Sequence, residues 1–320
     1  TTEIYNLSLH DALPIFGAIS HLMGKSDFTK GVIFTAAGGI GWGISGICGQ
    51  YIFHEYAVDS SWMTAVRMIF SGLLLLSIVI PKEKSEIFCL FKEKENVAWI
   101  ITFALLGLLL CQYSFLEAIN KSNSATATVL QSLNVIFMAL LVSIYTRKKM
   151  NSSQILAIFL AVLGTYLIAT KGSISRMVIS TPGLFWGIVS AFGVVSYTLL
   201  SRNLIKKFGN ILVSGWGMLI GGIVFGIVTK VWILPNNLDL MSISMIVVIV
   251  VIGTAVSFPL FLQGAKLIGP VKATLIACIE PVTATVLSSL LLNTKFDISE
   301  LIGFAAIIAT VFISILHKEE

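Results

Sequence analysis

Residues 61–80 read SWMTAVRMIFSGLLLLSIVI, 20 residues with a single charge, and residues 243–262 read ISMIVVIVVIGTAVSFPLFL, 20 more with none. About 20 apolar residues in an α-helix span the roughly 30 Å hydrocarbon core of a bilayer. Outward from these two stretches the pattern repeats along almost the whole chain. Apolar runs separated by Gly, Pro and charged breaks place spans at 31–54, 61–80, 97–118, 124–145, 153–170, 183–204, 210–232, 244–265, 271–292 and 299–317. With 56% hydrophobic and 12% charged residues, against about 25% charged in a soluble domain, the fold class is an all-α membrane protein with ten transmembrane helices.

The spacing leaves no room for a separate soluble domain; the longest polar loop is 81–96. The pI of about 9.0 comes from loop charges rather than a basic face, so no nucleic-acid partner is expected. Under a cytoplasmic amino terminus, fifteen of the 21 Lys and Arg residues lie inside, five outside (Lys121, Lys171, Arg176, Lys230, Lys295), and Arg67 within a span. That bias is expected to place both termini on the cytoplasmic side of a plasma membrane, a bacterial one. Cys48, Cys89, Cys111 and Cys278 show no CxxC or paired His spacing, so neither disulfide nor metal is expected. No GxxxxGK[ST], HExxH or GxSxG pattern occurs, and no cofactor or enzymatic activity is expected. Residues 1–22 differ from the rest: 7–15 (LSLHDALPI) look like translated adapter read-through, and Met23 precedes the basic segment that opens the first span, so 1–22 are read as a non-native leader.

The two halves echo one another. Gly107, Phe115 and Leu116 match Gly253, Phe261 and Leu262 at an offset of 146, and the next spans align at 147, setting Asn134 against Pro281. Five spans per unit, an odd number, forces the second copy to insert upside down, the design of many secondary transporters with a site near mid-membrane. The units are 23–171 and 172–320.

Glu280 falls ten residues into a span of about 22, near the bilayer centre, where a carboxyl is costly and faces a polar cavity or partner. It reads either as a substrate or proton contact, or as a protonated group bonded to backbone freed by Pro281. Pro281 and Pro259 each remove a helical hydrogen bond and are candidate hinges. Ser124, Thr128, Gln131, Asn134 and Met138 make a polar stripe on the fourth span, and Trp186, Ser190, Gly193, Tyr197 and Ser201 share a face of the sixth. With Trp42, these give apolar walls carrying a few placed polar groups. Interhelical hydrogen bonding, and for Trp186 an interfacial anchor, are the plainer readings. Arg67 can snorkel to the interface or meet a substrate carboxylate. Glu117 reads as solvated, Gln112 as secondary, and Gln263 with Lys266 as interfacial. The small-residue pairs Gly39/Gly43, Gly217/Gly221 and Gly222/Gly226 read as packing faces.

Residues 252–293, IGTAVSFPLFLQGAKLIGPVKATLIACIEPVTATVLSSLLLN, with their Glu280–Pro281 pair, resemble the end of the second repeat of the EamA type in the drug/metabolite transporter superfamily. Trp42-Gly43, Arg67 within AVRMIFSG and AINKSNSATATVLQSLN (118–134) support the resemblance, which covers residues 31–317. Tyr145-Thr146-Arg147-Lys148 and Asn293-Thr294 stand where the family usually has Gly-Glu, and Asn134 where it usually has Pro. The resemblance implies two inverted five-helix EamA repeats and export of small metabolites, often amino acids. Nucleosides, sugars or drug-like cations are alternative substrates, and a membrane binding protein that carries nothing across is the alternative class. The expected partners are a small-molecule substrate and the lipid bilayer, with proton coupling through Glu280 and a homodimer both left open.

Overall fold

The computed structural model describes residues 27–79, 87–146, 152–170, 180–236, 238–292 and a few between 297 and 313. Among these, every regular element is helical. The chain runs through α1 (Asp27–Glu55), α2 (Ser60–Val79), α3 (Lys94–Lys121), α4 in two pieces (Ser124–Gln131 and Asn134–Thr146) and α5 (Ser152–Thr170). It continues through α6 (Thr181–Phe208), α7 (Asn210–Thr229), α8 (Leu240–Ile268) and α9, again in two pieces (Pro270–Ala277 and Ile279–Leu292). Seven of the described helices are long and apolar enough to cross a membrane: α1, α2, α3, α6, α7, α8 and α9 taken end to end. The expected tenth span falls largely outside the described residues, as do residues 1–22.

Local chemistry sets the ends. Ser180 caps α6 by accepting from the Gly183 N–H at 3.2 Å, just ahead of Pro182. Asp239 and Ser242 cap α8 reciprocally, each side chain accepting from the other's N–H at 2.8 Å. Gly209 stops α6 at φ +83°, a left-handed conformation that costs glycine nothing, and α7 begins at the next residue.

Two departures from the sequence expectation recur in both halves. The third and eighth helices are not uniform: each slackens to a π-helical turn, Phe103–Leu109 in α3 and Val251–Val256 in α8. The fourth, expected as an unbroken span, is interrupted at Ser132-Leu133, and the ninth, where Pro281 was expected to remove a helical hydrogen bond, is interrupted at Cys278, three residues before it. These positions correspond at the offsets of 146 to 147 that relate the two halves.

Helix pairing carries the same relation. α1 packs on α8 and α9 as α6 packs on α3 and α4, and α2 packs on α7. In the α2–α7 pair Gly72 meets Leu219 and Gly222 meets Ile69, so these helices are antiparallel.

Close approach is what the glycines supply. Gly39 and Gly43 face α9, where an added methyl would lie 3.2 Å from the Ala277 carbonyl oxygen and 2.9 Å from that of Glu280. Gly217 and Gly221 face α3, and Gly222 and Gly226 face Ile69 of α2, which gives α7 two small faces. A methyl at Gly72 would stand 2.6 Å from the Leu219 nitrogen and 2.9 Å from the Gly215 oxygen, both backbone atoms that cannot step aside. Gly72→Ala is therefore expected to cost about 1–3 kcal/mol, read as a lower melting temperature in detergent. Gly49→Ala, whose nearest neighbour would be an ordinary 3.6 Å away, should melt like the parent.

Candidate functional site

The middle of the bundle holds two small adjoining cavities. The first is lined by Trp42 and Ser45 of α1, Arg67 of α2, Cys111, Gln112 and Phe115 of α3, Gln131 of α4, Val194 and Tyr197 of α6, Phe258 of α8 and Glu280 of α9. The second shares Trp42, Gln131, Val194 and Glu280 and adds Thr128, Ser132, Asn134, Phe261, Thr274, Ala277 and Cys278. Their cavity volumes are about 20 and about 10 Å³, roughly the room one water needs.

Arg67 is 2% exposed. It therefore does not snorkel, which corrects the plainer sequence reading: its Nε donates to Thr254 Oγ1 at 3.2 Å, and Thr254 in turn donates to the Ile249 carbonyl at 2.9 Å. That anchor, set within the π-helical turn of α8, turns the guanidinium inward instead of along the helix to the interface. Glu280 is 6% exposed. Arg67 and Glu280 come from different halves of the chain, and neither forms an ion pair among the described residues.

Six buried side-chain atoms among the described residues have no protein hydrogen-bond partner, and five of them belong to cavity-lining residues: Ser45 Oγ, Arg67 Nη1, Asn134 Oδ1, Tyr197 Oη and Glu280 Oε1. An unpartnered buried polar group costs about 1–3 kcal/mol. Concentrating that cost around two adjoining cavities marks the place where a polar ligand gains most. The same cavities carry an aromatic cluster, with Trp42 5.6 Å from Phe258 and 5.0 Å from Phe261, and Tyr197 4.6 Å from Phe258.

The structure thus brings Trp42, Arg67, Gln131, Asn134, Tyr197 and Glu280 together. Trp186 is not with them; its ring packs on Tyr113 at 5.2 Å and Phe185 at 5.1 Å. Helical periodicity put it on the face of Tyr197, yet eleven residues separate the two, about 16 Å along the axis. Pro281 is buried one residue from Glu280 and three past the interruption at Cys278. Pro259 follows the π-helical turn of α8, and its carbonyl accepts from Asn210 Nδ2. Glu117 is not solvated: it accepts from Ser60 Oγ and lies 3.4 Å from Lys121 Nζ.

Sequence reasoning passed over Ser45, Cys111, Phe258 and Val194 and ranked Gln112 low. A signal existed. Gly41 and Gly193, 152 residues apart, meet Ser257 and Cys111 in equivalent contacts; at the same offset Trp42 pairs with Val194 and Ser45 with Tyr197, while 146 relates Gln112 to Phe258. All six line the first cavity, which straddles the axis relating the halves.

Polar links close both ends of the bundle around it. Tyr56 Oη donates to Asp239 Oδ2 at 2.9 Å and Trp62 Nε1 to the Val231 carbonyl at 2.9 Å; at the other end Lys207 Nζ meets Glu93 Oε2 at 2.7 Å.

A helical membrane protein whose two halves repeat around a central polar cavity has the architecture of transporters built from internal repeats. The chain belongs to the EamA-like transporter family, whose pattern matches twice, over residues 29–170 and 181–316. It is 34% identical over 287 residues to the inner membrane transporter YicL of Salmonella typhimurium, covering 89% of this chain and 94% of that one. It is 21% identical to the transporter YetK of Bacillus subtilis, over 87% of this chain and 84% of YetK. A protein of known crystal structure shares the fold at a TM-score of 0.65 and 14% identity, covering 91% and 96% of the two chains.

The Lys207 hydrogen bond holds the Glu93 carboxyl below the usual carboxylate range. A folded-state value below the unfolded one contributes stability above the ordinary Glu range and loses it as pH falls through the lower value. Melting temperature measured against pH should show a small acid-side drop in the parent that Lys207→Gln lacks; the pair is exposed, so the drop is modest.

Proposed function

We propose that the protein is a secondary transporter that exports small metabolites, amino acids foremost, across the bacterial plasma membrane by alternating access. Ten spans, arranged as inverted five-helix units 23–171 and 172–320 with both termini cytoplasmic, rock about the central cavity. The observation that carries this reading is the meeting of Arg67 and Glu280, one from each half, buried around one cavity with polar atoms unpartnered. A zwitterion offers a carboxylate to Arg67 and an ammonium to Glu280, while Trp42, Tyr197 and Phe258 cover its apolar part. Gln131 and Asn134 supply neutral polar contacts. The cavity as it stands takes little more than water, so the metabolite enters only when the halves move apart, and Pro259 and Pro281 are the hinge positions. Transport rather than catalysis is the activity.

Glu280 lies between two roles that one cycle can use in turn, holding the substrate amine and carrying a proton in the opposite direction. The aromatic cluster also suits an organic cation held against Glu280 by ring faces; this is the second reading.

The test is counterflow in proteoliposomes holding residues 23–320, preloaded with mixed amino acids and offered each labelled amino acid in turn, with a quaternary ammonium cation as a separate arm. Saturable amino-acid accumulation above empty liposomes is expected, and its absence from monodisperse protein overturns the reading. Arg67→Gln should weaken apparent affinity for carboxylate-bearing substrates roughly tenfold or more and leave the cation arm unchanged. Glu280→Gln should abolish dependence on a pH gradient; unaltered gradient-driven transport in that variant removes proton coupling.

A further inference from the structure

We propose that a basic cleft between α6 and α8, at the end of the bundle where α1 begins, binds the headgroup of an anionic phospholipid. The cleft is larger than the central cavities, about 110 Å³, and lies apart from them. Three cations stand around it: Arg202 and Lys206, one helical turn apart on α6, and Lys266 in the last turn of α8. All three are exposed, and none forms an ion pair among the described residues, whereas the adjacent Lys207 is paired with Glu93. Three unpaired like charges around one opening repel one another unless an anion joins them.

The start of α9 opens on the same place. Gly269 and Pro270 line the cleft, and no side chain caps this helix; Pro270 has no N–H to offer, so what the helix start presents to an anion is the positive end of its dipole. The first half shows what the alternative looks like. At the equivalent position, 152 residues earlier, Arg202 becomes Gln50, and Gln50 Oε1 accepts from the Ser124 N–H at 2.9 Å, capping α4. Lys206 likewise becomes His54, and Lys266, at the offset of 146, becomes Asn120. The inverted twin of the cleft is therefore closed by a neutral side chain, while this one is left charged and uncapped.

The remaining walls favour a lipid over a soluble anion. Leu199, Ile205, Leu262 and Ala265 make an apolar floor, and Leu199 is 37% exposed on the outer surface of the bundle. From Lys206 to Thr198 the slot runs about 12 Å down α6, from the charged rim into the depth where a glycerol backbone and the first methylenes of an acyl chain would lie. Basic pockets between spans at the cytoplasmic face are a recurring way to hold such headgroups, and the topology proposed above puts this end of the bundle there.

The experiment uses the full chain in nanodiscs of phosphatidylcholine, with or without 30% phosphatidylglycerol, and a third arm of phosphatidylcholine with soluble glycerol 1-phosphate. Each variant's melting in phosphatidylcholine is its own baseline, so a general fold defect cannot pass for lost binding. Phosphatidylglycerol should raise the melting temperature of the parent and of the control Lys92→Gln/Lys94→Gln/Lys230→Gln, and should leave Arg202→Gln/Lys206→Gln/Lys266→Gln unmoved. Native mass spectrometry should show the first phosphatidylglycerol bound on the order of 100-fold more weakly by the cleft variant, given what each basic residue adds near an anionic surface. Equal responses of the two triple variants overturn the proposal. So does stabilisation of the parent by glycerol 1-phosphate matching that by the lipid, which would assign the cleft to a soluble anion.

Discussion

Lipid offers no partner to a backbone N–H or C=O, so a chain that crosses it must satisfy every such group internally. Regular helices do this without help, and most of this chain is regular. The exceptions gather around the centre: the π-helical turns of α3 and α8 and the interruptions of α4 and α9. Each carbonyl released there has to find another donor, and hydroxyls and amides provide it. Around the turn in α8, Thr254 donates to Ile249, Ser257 to Ile252 and Ser71 of α2 to Val250, all within 2.9 Å. At the interruption of α4, Asn134 donates to the Gln131 carbonyl, while the Ser132 hydroxyl bonds back to Thr128, whose carbonyl also keeps the Ser132 N–H. The polar residues that look misplaced in apolar spans are thus largely consumed in keeping irregular backbone affordable.

That accounting separates structural polar groups from the rest. Thr254 serves backbone and Arg67 at once; Ser71, Ser132 and Thr285 are spent on carbonyls. What remains unspent at the cavity is Ser45, Arg67, Tyr197 and Glu280, with the far oxygen of Asn134. The glycines bear on the same result, because Gly43 lets α1 approach the Glu280 turn and Gly107 lets α3 approach Tyr197. Close packing is what places a guanidinium and a carboxyl from different halves around so small a space.

The helical membrane fold was legible in the apolar lengths, and the repeat in Gly107/Gly253 and Asn134/Pro281. Trp42, Arg67, Gln131, Asn134, Tyr197 and Glu280 were legible because each is a polar or aromatic residue at mid-span depth or on a recognisable stripe. Trp186 was grouped with Tyr197 because periodicity fixes a face, whereas its place three residues into the expected span already carried the plainer reading of a residue near the helix end. Glu117 was misjudged because its bond from Ser60 depends on how α2 meets α3, which one helix's pattern cannot encode, although its other partner, Lys121, stands four residues on along α3. The interruption of α4 was unforeseen for a related reason. Asn134 has no proline ring to announce it, and it competes with the backbone only through its side-chain bond to Gln131.

Symmetry explains where the two halves agree, and function has to be sought where they differ. The axis relating α1 with α6 and α3 with α8 makes Trp42 and Val194, Ser45 and Tyr197, and Gln112 and Phe258 counterparts, yet in each pair the chemistry diverges. A perfectly symmetric cavity would present the same groups toward both ends of the bundle and could not orient an asymmetric ligand. Here aromatic rings come from both halves, Trp42 and Phe115 from one and Tyr197 and Phe258 from the other, while the carboxyl stands on α9 and the guanidinium on α2, so the cavity's charged groups are not repeated across the axis. The ends differ as well: Gln50 closes the start of α4, while Arg202, Lys206 and Lys266 leave the start of α9 charged. The repeated scaffold is thus unequal in chemistry at the central cavity and at the starts of α4 and α9, while its packing is shared.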